Sequence, residues 1–71
     1  MAEVYFEFLA IPYLYDTKQS KLFQLEQNKV VEISDPRILR NVRFHSVEIG
    51  RERAFSLTQN YINQFFLNRL H

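Results

Sequence analysis

The sequence predicts an α+β domain: a small antiparallel sheet, made of a three-stranded meander plus a fourth strand. A short helical turn and one long C-terminal amphipathic helix packed on the sheet complete it. Three observations carry this expectation. Residues 3–15 are dense in aromatic and branched side chains, which suit a pleated, half-buried surface. Asp35-Pro36 joins an N-cap acceptor to the residue best suited to a first helical position. From Ala54 onward, apolar residues recur at helical spacing.

The first strand is apolar on both parities. Val4, Phe6, Phe8, Ala10 and Leu14 fall on one, and Tyr5, Glu7, Leu9, Ile11, Tyr13 and Tyr15 on the other, so the alternation is imperfect. A strand of this kind is covered on both sides or bulged so that its register changes midway. Pro12 donates nothing to a ladder, so it belongs at an edge or at the bulge itself. The polar run from Asp16 to Ser20 predicts a turn, followed by a strand over Lys21 to Glu26. A second turn falls at Gln27 to Lys29, with Asn28 suited to the left-handed backbone of a tight hairpin. Val30 to Ile33 makes the third strand.

The helix opened by Asp35 is expected to run one or two turns, anchored by Ile38 and Leu39, and to end near Asn41. Val42 to Ile49 then reads as strand, with Phe44 inward, Arg43 and His45 outward, and Ser46 as a bulge. In the last helix, Ala54, Phe55, Leu57, Thr58, Tyr61, Ile62, Phe65 and Phe66 cover about half the circumference. A competing reading makes Gly50-Arg51 a hairpin turn and starts the helix at Ser56, where Ser56-x-x-Gln59 would form a capping box.

Length and composition narrow the classes. Seventy-one residues make one domain, 1–71, and a chain this short buries a modest fraction of its surface. There is no cysteine, so disulfides, thiolate metal sites and a cysteine nucleophile are excluded. His45 and His71 are too few for a histidine-based zinc centre, and no metal or other cofactor is implied. The single glycine excludes a glycine-rich phosphate loop. His45 and Ser46 are neighbours whose side chains would diverge on a strand, and nothing orients the imidazole, so no catalytic residues are assigned. No apolar stretch is long enough to span a bilayer, and the acidic N-terminus does not resemble a signal peptide; a cytoplasmic location is expected.

The charges are segregated. All six arginines follow position 36 and all three lysines precede position 30, leaving residues 1–35 at −3 and residues 36–71 at +4. Arginine suits planar, bidentate contact with carboxylate or phosphate. Arg37, Arg40, Arg43, Arg51 and Arg53 therefore form a candidate anion- or partner-binding group, against the bland reading that they are solvated or paired within the molecule. Tyr5, Phe6, Phe8, Tyr13 and Tyr15 could stack on bases, although core or interface packing explains them more simply. Gln59, Asn60, Asn63, Gln64 and Asn68 form an uncharged amide face, cheaper to desolvate than a charged one. Leu67 and Leu70 lie outside the apolar arc. The leading expectation is a non-enzymatic protein-interaction and regulatory domain, acting as a homo-oligomer or as a subunit of a larger assembly. Its contact residues are Tyr13, Tyr15, Asn60, Asn63, Leu67 and Leu70. The alternative is a nucleic-acid-binding regulator that grips phosphates through the arginines, although a pI near 8.1 is modest for that role.

Overall fold

The computed structural model describes residues 3–27 and 29–58. Five strands form one sheet: β1 (Glu3–Phe8), β2 (Ile11–Asp16), β3 (Lys21–Leu25), β4 (Val30–Ile33) and β5 (Val47–Ile49). Their order is β4-β3-β2-β1-β5, and every neighbouring pair is antiparallel. Helix α1 (Pro36–His45) links the two edge strands, and a second helix, α2, occupies residues 51–58. The fold is α+β, with five strands where four were expected.

The extra strand comes from the aromatic segment. Residues 3–15 are not one bulged strand but a hairpin, closed by the pair Phe8–Ile11 and turned through Leu9 and Ala10. Both turn residues have positive φ, 53° and 63°, the pattern of a type I′ turn whose twist matches the flanking strands. This explains the double parity. A two-residue turn pairs even positions with odd ones, so Phe6 and Phe8 share a face with Ile11, Tyr13 and Tyr15. Pro12 sits in an inner strand after all. The ladder alternation turns its nitrogen toward β3, and the β2–β3 pairing begins only at Tyr13–Gln24, so the missing donor falls where the ladder ends.

The next two turns fall where expected. The Asp16 carboxylate accepts from the backbone N–H of Lys18 (2.9 Å) and Gln19 (3.3 Å), and Ser20 closes that turn with φ 54°. The β3–β4 connection is held by Glu26 N–H donating to the Lys29 carbonyl at 3.0 Å. Asn28 lies outside the described residues.

Helix α1 begins as its sequence dictates, with the Asp35 carboxylate accepting from Arg37 N–H at 2.9 Å and proline in the first turn. It does not stop near Asn41. It runs to His45, because Ile38 and Val42 continue one apolar face at i, i+4, and Arg43 in the last turn complements the negative helix end. Ser46 is therefore the C-cap rather than a strand bulge, and its hydroxyl donates to the Val42 carbonyl. Phe44, expected inward, is 65% exposed. Only Val47–Ile49 remains as strand.

One sheet face carries the main core. Tyr13, Leu22 and Val42 are buried at its centre, with Phe6, Phe8, Ile11, Tyr15, Ile33 and Ile38 packed around them. Helix α2 lies against the opposite face, where Arg53 reaches Glu7 and where Ala54 and Leu57 are buried. Residues 51–53 are helical, so the reading that begins the helix at Ser56 fails; Ala54 N–H already donates to the Gly50 carbonyl at 3.1 Å. Of the long helix that was expected, the structure describes residues 51–58. The remainder of its apolar arc, its amide face, Leu67 and Leu70 lie outside the described residues.

Candidate functional site

Among the described residues the second helix crosses the far face, so α1 is the element that lies over the core face. Between α1 and the sheet lies an open groove of about 580 Å³, lined by Phe6, Tyr15, Leu22, Leu39, Val42 and Arg43. Strands β1, β2 and β3 supply its floor. Leu39 and Arg43, one helical turn apart, form its helical wall. No large side chain among the described residues is completely buried, so the core is open rather than closed over. A smaller cleft of about 100 Å³ at the end of β2 and β3 includes Pro12, Leu25, Gln27 and Thr58.

The five arginines do not share one surface. Arg37, Arg40 and Arg43 ride on α1 over the core face, while Arg51 and Arg53 begin α2 on the other side. Arg53 is engaged by Glu7, with Nε 3.2 Å from a carboxylate oxygen. The Arg51 guanidinium lies 5.4 Å from the Phe55 ring centre. Arg37 approaches Asp35 at 4.0 Å but is almost fully exposed, so that contact contributes little. Arg43 stacks over Phe44 at 5.3 Å, a cation–π contact that leaves its N–H groups available. Among the described residues, Arg40 has no ion-pair or hydrogen-bond partner. Of the five, Arg40 and Arg43 on α1 and Arg51 at the start of α2 lack a carboxylate partner among the described residues.

The two tyrosines named as contacts have different fates. Tyr13 is 3% exposed and sits at the centre of the chain's own core, so it offers nothing to a partner. Burial pushes its hydroxyl pKa above the ordinary 10.0. Tyr15 is half-buried in the floor of the groove. Tyr5, on the opposite face, is also raised, first by burial and then by the Glu3 carboxylate, with Arg51 acting against both. Asn60, Asn63, Leu67 and Leu70 lie outside the described residues.

Sequence reasoning missed the sheet edges. Val30 and Val31 on β4 are 54% and 37% exposed, and Val47 on β5 is 66% exposed. A signal was present in the run of adjacent branched residues at 30 and 31, which a terminal strand leaves uncovered on both faces. Among the described residues, no group of three His, Asp or Glu side chains is placed to hold a metal ion, and no helix is long and apolar enough to cross a membrane. Comparison with protein-family models, with curated proteins and with solved structures found no match. The surface is therefore read from its chemistry alone.

Proposed function

We propose that this chain is a small non-enzymatic protein-interaction domain that works by self-association, as a homo-oligomer or as a subunit of a larger assembly. The observation that carries the reading is apolar surface that the described residues leave uncovered on the sheet: the open groove beneath α1 and the exposed valines of β4. A chain this small, without disulfides, gains stability by burying such surface against a partner. Sedimentation velocity across a wide concentration range tests it. A mass of at least twice the 8.6 kDa chain supports the homo-oligomer, and a monomer at every concentration overturns self-association and leaves only the subunit of a larger assembly.

One observation favours a second reading. Arg40 and Arg43 lie exposed on α1 without carboxylate partners among the described residues, which suits a phosphate backbone. Fluorescence anisotropy with mixed-sequence oligonucleotides at low and physiological salt separates the two. Binding through this pair falls with salt and weakens about equally for all sequences on Arg40→Ala with Arg43→Ala. No binding at low salt removes the nucleic-acid reading and leaves self-association untouched.

A further inference from the structure

Strand β4 ends the sheet. Its inner side pairs with β3 through Leu22–Ile33 and Gln24–Val31, and the alternation of an antiparallel ladder fixes which backbone groups are engaged there. Counting from the Phe8–Ile11 closure across β2 and β3, Val31 and Ile33 direct their N–H and C=O toward β3. Val30 and Glu32 direct theirs outward, with no strand beyond among the described residues. The usual protections of an edge are weak here. Within Val30–Ile33 there is no proline, and the one charged side chain, Glu32, is held by Lys21 with Nζ 3.4 Å from the carboxylate.

We propose that β4 pairs antiparallel with β4 of a second copy about a two-fold axis through Val31, joining two five-stranded sheets into one of ten. This assignment rests on the self-association reading and goes beyond it by naming the surface and the register. Outward groups must face outward groups, which permits three close registers. Placing Glu32 on the axis sets like charges directly opposite each other, which is destabilising. Placing Val30 on the axis moves most of each strand past the end of the other. Placing Val31 there overlaps the strands and lets Val30 exchange both backbone hydrogen bonds with Glu32 of the other copy. Each Glu32 keeps its own Lys21, and the two Val31 side chains meet as a non-hydrogen-bonded pair, the closer kind. Val31 lies on the same face as Leu22 and Ile33, so the pairing continues the apolar core face. The other edge competes poorly: β5 has three residues and turns only Glu48 outward.

The test is a charge exchange at the axis, read by sedimentation velocity at concentrations where the unaltered chain is dimeric. V31K alone and V31E alone place like charges face to face and are expected to run as monomers, while an equimolar mixture recovers the dimer. Loss of folding would not be repaired by mixing two damaged chains, and circular dichroism of each variant checks it separately. A second variant reads the geometry. The chain has no cysteine, and V31C is expected to form a disulfide-linked dimer on mild oxidation, whereas V30C is not, because its copies lie off the axis. A dimer untouched by V31K and V31E, or species that grow past the dimer with concentration, overturns the β4 pairing and leaves self-association standing. An unaltered chain that is monomeric throughout overturns both.

Discussion

Arg53 and Glu7 stand 46 residues apart and meet side chain to side chain, Nε to carboxylate oxygen at 3.2 Å. This contact ties the first turn of α2 to β1 on the face away from α1. It is not a deep anchor. The Arg53 side chain is more than half exposed, so solvent screens the pair and side-chain ordering offsets part of its attraction. Ala54 and Leu57 hold the helix to the sheet by burial, and the ion pair joins its first turn to Glu7 of β1. A double-mutant cycle on Arg53→Ala and Glu7→Ala, by urea unfolding, is expected to give a coupling of about 0.2–1 kcal/mol. A coupling of zero would assign the placement of α2 to the buried residues alone.

The Leu9-Ala10 turn is expected to be the most improvable segment of the chain. Both residues hold left-handed backbone, which side chains beyond glycine, asparagine and aspartate adopt at a cost. Their replacement by Asn-Gly, as L9N with A10G, keeps the turn type and relieves that cost, and should raise stability by about 1–3 kcal/mol. A rise in the urea midpoint at unchanged slope is the expected result. An unchanged midpoint would mean that the left-handed conformation is nearly free in this turn.

That same turn shows where sequence reading stopped. Leu9-Ala10 carries none of the glycine, asparagine or aspartate that marks a two-residue hairpin, so the break between β1 and β2 was invisible and two strands read as one. The turns at 16–20 and 26–29 were legible because Asp16 bonds two following N–H groups and polar residues cluster there. Asp35-Pro36 was legible for a similar local reason. The end of α1 was not, because Val42 suits either a strand or a helix, and only packing against Tyr13 and Leu22 selects the helix. For the candidate site, composition singled out five arginines but not their separation onto two sides of the sheet. Whether Arg43 and Arg53 lie on one side of a sheet depends on a crossover between opposite edges, which no local pattern encodes.

The start of α1 should be sensitive to a single carboxylate. Asp35 accepts from Arg37 N–H at 2.9 Å, while the Arg37 guanidinium stays 4.0 Å away, so the cap and not the ion pair carries the effect. Asp35→Ala is expected to destabilise by about 1 kcal/mol, and Asp35→Asn, which keeps the acceptor, by much less. Equal losses from the two, measured by urea unfolding, would place the effect in the charge instead.

Tyr13 predicts how the fold fails in alkali. Its hydroxyl is buried enough to hold its pKa above the ordinary 10.0, and Tyr5 is raised in the same direction. The unfolded chain, with ordinary tyrosines, therefore releases these protons first as pH climbs through 10.0. Between that point and the raised native values the folded state binds more protons than the unfolded one, so stability falls as pH rises. Below pH 10 the tyrosine contribution is fully present and flat. Urea midpoints followed from neutral pH into this range should fall, and Tyr13→Phe, which removes the titrating group while keeping the ring in the core, should fall less steeply. If the two curves run parallel, the alkaline loss comes from groups other than Tyr13, and the burial of its ring has no consequence for proton binding.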